Sequence, residues 1–158
     1  MDESQQKQAW ITSLRLLAAS PKTSKQLADM LTEKGYPAEV VQGTVSRLEE
    51  RGLLSDRAFA RQVAAKFEHA KPSGTRKIAF ELKRKGFSRA LREEVLSEMT
   101  PESEAARCKE LAEDKWLRFQ NLEPVKRKKK IYDFLVRRGF DFEIVRDVMS
   151  RMKDDDAT

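Results

Sequence analysis

A helical unit that occurs three times constrains the fold of this 158-residue chain more than any other sequence feature. Gly35, Gly86 and Gly139 lie 51 and 53 residues apart, and an aromatic residue follows each of them. The residues eight and four positions before each glycine, and five, ten and thirteen positions after it, are apolar in all three copies. A self-similar period of about 50 residues indicates an array of small units that stack their apolar faces.

Each copy is predicted to contain three helices. Apolar residues recur at the three- and four-residue spacing of a helix face, and no segment shows the alternation of a strand. Candidate N-caps are Thr23, Ser55, Ser88, Thr100 and Asp141. A glycine suits the end of the middle helix, because a left-handed residue commonly terminates a helix.

The predicted fold class is therefore all-α, with three tandem three-helix, helix-turn-helix-like repeats that form an elongated curved array. The repeats are predicted at residues 8–54, 55–99 and 100–152, and residues 153–158 are predicted to be a disordered tail. The composition agrees, since 39% apolar and 37% charged residues suit slender helical cores with solvated faces.

The sequence offers no chemistry for catalysis. His69 is the single histidine and Cys108 the single cysteine, so there is no metal-ligand spacing, no disulfide framework and no Cys pair. Phosphate loops and nucleophile elbows are also absent. We predict a protein that is not an enzyme and needs no cofactor or metal. No apolar stretch approaches the ~20 residues of a membrane span, and a single cysteine suits a reducing cytosol, so we expect a soluble, cytoplasmic protein. We also expect it to be a monomer.

Positive charge is concentrated in the second and third repeats. Residues 55–99 carry 11 Lys or Arg against 6 Asp or Glu, whereas residues 1–54 carry 7 of each. Residues 126–130 read Lys-Arg-Lys-Lys-Lys at a predicted helix start, where cations oppose the helix dipole. Solvated helix faces are one interpretation, and an anionic partner is the favoured one. The candidate contacts to a partner or to DNA are Arg57, Arg61, Lys71, Arg76, Lys77, Lys83, Arg84, Lys85, Arg89, Lys126, Arg127, Lys128, Lys129, Lys130, Arg137 and Arg138.

Several other residues have a structural interpretation beside the functional one. Phe59, Trp10 and Trp116 fit a core, and Cys108 fits a small buried hydrophobe. Asp56 fits a cap or a local pair. Arg57 fits either an ion pair within the array or a direct partner contact, so both alternatives stay open.

The helix-turn-helix plan also occurs in DNA-binding transcription factors. Two of the three candidate recognition helices, however, carry Glu39 or Glu143 near their N-termini, where a carboxylate would repel phosphates. A transcription factor that reads a defined site is therefore a rival hypothesis, and an adaptor without any nucleic-acid partner is another.

Two segments carry a family resemblance. Residues 52–60 read G-L-L-S-D-R-A-F-A, and after a Pro-Gly break residues 77–88 read K-I-A-F-E-L-K-R-K-G-F-S. In order and spacing they resemble the RecX regulatory proteins of bacteria, and the similarity extends from Trp10 to Met152.

The resemblance implies a partner as well as a fold. RecX-like proteins bind filaments of the RecA recombinase on DNA and restrain ATP hydrolysis, strand exchange and the coprotease activity of the SOS response. They do so by lying along the filament groove or by blocking growth at filament ends. Weak binding to single- or double-stranded DNA through the phosphates is also implied, and the basic residues of the second and third repeats are the expected contacts.

Overall fold

The computed structural model describes residues 2–155 of the chain, and the regular secondary structure of this part consists of helices. Its nine α-helices are α1 (Glu3–Ala19), α2 (Ser24–Glu33), α3 (Ala38–Glu50), α4 (Asp56–Ala65), α5 (Thr75–Arg84), α6 (Arg89–Ser97), α7 (Pro101–Arg118), α8 (Pro124–Arg137) and α9 (Phe142–Asp155). A π-helical turn, Lys66–Ala70, continues α4. The predicted all-α tandem fold is confirmed.

The helices begin where capping chemistry predicts. Thr23 accepts a hydrogen bond from the Gln26 N–H through Oγ1, and Gln26 Oε1 accepts one from the Thr23 N–H, both at 3.0 Å. The predicted caps at Ser55, Ser88, Thr100 and Asp141 each accept a backbone N–H in the same way. Helix α1 begins five residues before residue 8, since Asp2 caps it by accepting the Ser4 N–H at 2.9 Å.

The three repeated glycines end α2, α5 and α8 in the left-handed region, with φ of 95°, 86° and 85°. At the first of them the Gly35 N–H donates to Thr32 O and the Tyr36 N–H to Leu31 O. This pair of bonds satisfies carbonyls that the helix leaves open at its end. The aliphatic residues eight and four positions before each glycine are fully buried, so the repeat register is also the register of the core.

The chain forms two compact units. The first comprises residues up to 60 together with 85–87, and its core consists of Leu27, Leu31, Val41, Leu48 and Leu54, with Trp10 packed against it. The second comprises residues 61–84 and 88 onward, and its core consists of Cys108, Ala112, Ile131, Leu135, Phe140, Val145, Val148, Met149 and Met152. The core positions predicted for both tryptophans are confirmed, because Trp116 packs against this second core.

The compact units do not coincide with the predicted repeats. The residues of the second predicted repeat are shared between the two units, so the repeat boundaries stay a prediction from the register. Helix α9 runs to Asp155, beyond the predicted start of a disordered tail at residue 153. Residues 156–158 of that tail lie outside the described part of the chain.

Candidate partner-binding surface

Helix α5 is amphipathic and turns most of its cations outward. Ile78, Leu82 and the carboxylate residue Glu81 are buried. Residues three and four apart share a helix face, so Arg76, Phe80, Lys83 and Arg84 lie together on the opposite, exposed face. We call this the α5 face.

Glu81 neutralises part of this charge. Its carboxylate accepts two hydrogen bonds from Arg84, at 2.7 and 3.1 Å, and pairs with Lys77 at 3.1 Å. The Arg84 hydrogen bond is the main reason that the pKa of Glu81 lies below its usual value. Two of the predicted contact residues are thus engaged within the protein, which the count of basic residues along residues 71–89 did not reveal.

Arg76 and Arg138 hold two turns of the second unit together. Arg76 Nη2 donates to Phe140 O at 3.1 Å, and Arg138 donates to Pro72 O through Nε and Nη2 at 3.2 and 2.9 Å. The backbones also bond directly, since the Gly74 N–H donates to Arg138 O at 2.8 Å. We name this contact between residues 72–76 and 138–141 the glycine junction. Arg138 is therefore a structural residue, and Arg76 has a structural bond in addition to its exposure.

Buried polar side chains complete the glycine junction. Arg107 Nε donates to Ser73 O at 3.1 Å, and Glu104 Oε2 accepts the Asp141 N–H at 3.1 Å. Both Glu104 and Arg107 are buried. Burial, with a smaller contribution from Glu104, raises the pKa of the neighbouring Cys108 thiol to about 12, which keeps this sulfur protonated and confirms its predicted role as a small buried hydrophobe.

The basic run at residues 126–130 is divided by helical periodicity. Arg127 points into the second unit, where its guanidinium lies 3.6 Å from the Trp116 ring centroid and donates to Trp116 O. Lys126, Lys129 and Lys130 lie on the exposed side of α8 together with Arg137. We call this the α8 face. Arg127 was predicted as a contact residue, and its burial gives it a structural role instead.

The remaining predicted contact residues form different kinds of interaction within the protein. Arg61 pairs with Glu98 at 2.6 Å, Arg89 with Glu93 at 2.9 Å and Lys129 with Asp133 at 3.5 Å, all on the exposed surface. Lys130 Nζ lies 4.5 Å from the Phe119 centroid. In the first unit, Lys85 Nζ lies 5.9 Å from the Phe59 centroid, and the exposed Arg57 also has an interaction.

Five candidates keep their charge available. Their side chains form no ion pair, hydrogen bond or aromatic contact with the described side chains of residues 2–152. They are Lys71, Lys83, Lys126, Lys128 and Arg137. All five belong to the second unit. Cations without an internal partner are the ones that gain most from an anionic surface, because no internal pair must be broken first.

Asp56 contacts a residue far from it in the sequence, rather than capping its own helix or pairing with a neighbour. Its carboxylate accepts the Ser24 N–H and the Ser24 hydroxyl, both at 2.7 Å, at the start of α2. It therefore fixes the N-terminus of one helix of the first unit to the start of α4. Phe59 of the same motif is half-buried and packs edge-on against Phe87 at 5.2 Å.

The described residues show neither a metal site nor a membrane-spanning helix. The described side chains, those of residues 2–152, include no group of three or more His, Cys, Asp and Glu placed to hold a metal ion. Over the same range, every helix is too short or too polar to span a bilayer.

Known proteins resemble this chain in both sequence and fold. Family models described as the first and third three-helix domains of RecX match residues 9–48 and 102–149. The regulatory protein RecX of Chlorobaculum tepidum is 35% identical over 149 residues, which cover 94% of this chain and 91% of that protein. RecX of Streptomyces lividans is 34% identical and covers 84% of this chain and 71% of its own length.

Solved structures extend the similarity to three dimensions. The crystal structure of RecX from Lactobacillus salivarius superposes with a TM-score of 0.82 and covers 95% of this chain and 97% of its own. At 19% identity it shows the shared fold alone. A second structure, of a regulatory protein RecX, has a TM-score of 0.73 at 25% identity and covers 92% of this chain and 72% of its own.

Proposed function

The chain belongs to the RecX family of regulatory proteins, and from this premise we propose that it binds RecA filaments on DNA and restrains them. Binding would lower DNA-dependent ATP hydrolysis, strand exchange and the coprotease activity that starts the SOS response. The protein would also bind DNA weakly, through contacts to its phosphates.

The observation that carries this proposal is the set of unpaired cations on the second unit. Lys83 on the α5 face and Lys126 and Arg137 on the α8 face are exposed and have no acid partner among the described residues. The first unit has equal numbers of acidic and basic residues up to residue 54. Charge is thus concentrated on helix faces that the core does not use, as an anionic partner requires.

The test is a titration of recombinase ATPase with a charge-reversal variant. Lys83→Glu, Lys126→Glu and Arg137→Glu are combined, because these side chains form no ion pair or hydrogen bond with the part of the chain that the structure describes. Arg76, Arg84, Arg127 and Arg138 are left alone, since each has an internal hydrogen bond. We expect the wild-type protein to slow ATP hydrolysis by the filament and the variant to do so only at higher concentrations.

A matched control reverses three exposed lysines of the first unit, Lys7, Lys25 and Lys34. It changes the net charge by the same amount but should leave inhibition unchanged. Circular dichroism checks that both variants stay helical. If wild-type protein has no effect on hydrolysis, the proposed function is wrong. If both variants lose inhibition equally, net charge rather than the two faces is responsible.

A further inference from the structure

Phe80 occupies a position where the fold requires no apolar side chain. It lies six residues before the repeated glycine, and the equivalent positions in the other copies hold Asp29 and Asp133. All three side chains are exposed, and Phe80 is 58% accessible. Because the other two copies have a carboxylate at this position, the scaffold does not need a phenyl ring here. The presence of the ring therefore points to a contact outside the protein.

The surroundings of this ring are cationic. Lys77 Nζ lies 5.3 Å from its centroid. Arg84 is four residues away on the same helix and Lys83 three, so both lie on the same helix face as the ring. Glu81, the one acid of this helix, is buried and occupied by Lys77 and Arg84.

A second exposed phenyl ring provides a contrast. Phe142, at the start of α9, is 44% accessible and lies 5.0 Å from the Arg76 guanidinium. Its chain neighbours are Asp141 and Glu143, both exposed acids. Phe142 thus has one cation, Arg76, and two acidic chain neighbours, whereas Phe80 has Lys77 on its ring and no exposed acid next to it in the sequence, so Phe80 suits a polyanion better.

We propose that Phe80 is a platform on which an unpaired base of single-stranded nucleic acid stacks, while Lys83 and its neighbours contact the phosphates. An aromatic ring among cations is the usual arrangement for single strands, since every base has a π-face and every linkage a charge. A duplex offers only its phosphates to such a surface, because its bases are already stacked. This inference deepens the DNA-binding part of the proposed function and rests on it.

The experiment measures DNA binding without any recombinase. Fluorescence anisotropy is used to titrate a labelled oligothymidylate, and a duplex of the same length, with wild-type protein, Phe80→Ala and Phe142→Ala. Phe80→Ala should weaken single-strand binding by about 5-fold to 150-fold, the effect of one lost base stack. Its salt dependence should stay unchanged because no cation is removed. Duplex binding, and the Phe142→Ala variant, should match wild type.

Two further substitutions separate stacking from plain apolar contact. Phe80→Tyr keeps the aromatic face and should retain single-strand affinity, whereas Phe80→Leu keeps apolar area only and should lose it. Equal losses for Phe80→Ala on single strands and duplex, or none at all, would overturn the stacking role. Loss of filament inhibition with unchanged DNA affinity would show that Phe80 contacts protein instead, which contradicts this inference but leaves the proposed function standing.

Discussion

The residue twelve positions before each repeated glycine shows how one position accommodates three chemistries. It is Thr23 in the first copy, Gly74 in the second and Arg127 in the third. All three are buried. Thr23 caps a helix, Gly74 lets two backbones meet, and Arg127 satisfies a carbonyl with its guanidinium. Arg127 therefore belongs to the scaffold although it lies within a run of five basic residues.

Gly74 is expected to be the least replaceable of these residues. A Cβ at this position would lie 2.2 Å from Gly139 O and 2.3 Å from Phe140 Cα. Both are backbone atoms that cannot rotate away, so Gly74→Ala should lower the free energy of unfolding by about 1–3 kcal/mol, the usual cost of overpacking. Urea unfolding followed by circular dichroism measures it.

The control for this prediction is Gly43→Ala in the middle of α3. Nothing lies within 4 Å of the Cβ that this change would add. Alanine is the better helix former by about 1 kcal/mol, so this variant should be more stable than wild type. A Gly74→Ala protein as stable as wild type would mean that the glycine junction is loose in solution.

Helix α5 shows how a buried acid organises a basic element. Glu81 lies five residues before its glycine, where the other copies have Met30 and Phe134, both half-buried. This position of the repeat therefore faces inward, and the Glu81 carboxylate holds the Lys77 and Arg84 side chains close to it through ion pairs. The fixed ion pairs leave Lys83 as the cation of α5 without an internal bond among the described residues.

The lowered pKa of Glu81 predicts an acid-sensitive contribution to stability. A carboxyl whose folded pKa lies below its unfolded value stabilises the protein above the unfolded value and loses this effect as the pH falls through the folded pKa. Glu81→Gln should therefore lower the free energy of unfolding at pH 7 by about 1 kcal/mol, since both partners are partly solvated. The difference from wild type should shrink below pH 4.5, the ordinary value for the group.

Unfolding in urea at several pH values provides the measurement, and Glu93→Gln is the matched control. Glu93 pairs with Arg89 on the open surface, where both side chains are more than half exposed. Its substitution should change stability little at any pH. A gap between wild type and Glu81→Gln that stays constant down to acid pH would show that packing, not charge, holds Glu81.

At the scale of the whole molecule, the net charge of +6 is less informative than its distribution. Arg61, Lys77, Arg84, Arg89 and Lys129 are paired with acids, and Arg127 and Arg138 with carbonyls. Binding of a polyanion then falls mainly to the unpaired cations on two helix faces. For the DNA binding that we propose, we therefore expect few phosphate contacts and a weak affinity.

The salt dependence of DNA binding tests this distribution. Each phosphate contact on a single strand contributes a slope of about 0.7 to the fall of log affinity with log salt. Replacing Lys83, Lys126 and Arg137 with alanine should therefore reduce the slope by up to about 2. Replacing Lys7, Lys25 and Lys34 should leave it unchanged. Equal slopes for all three proteins would place the phosphate contacts elsewhere.

The sequence predicts the scaffold better than the surface, for a physical reason. Apolar spacing and glycine turns report on the core directly, so the buried Leu27, Ile78 and Ile131 were evident from their register. A run of basic residues does not indicate which side chains face the core, so the inward orientation of one arginine within residues 126–130 is not evident from the run itself. Helical spacing does predict this orientation, since Arg127 lies four residues before Ile131 on the same helix face. The backbone contact at Gly74 is different, because no local pattern predicts which two loops will meet.

The glycine junction also limits how the length of this chain could vary. The carbonyls of Arg138 and Gly139 that end α8 accept the N–H groups of Gly74 and Arg76 that begin α5. An inserted residue in either turn would separate donors from acceptors over the whole contact. The exposed connector at residues 120–123, between α7 and α8, has no such constraint. Insertions and deletions would therefore accumulate in that connector, while both turns of the junction keep a fixed number of residues.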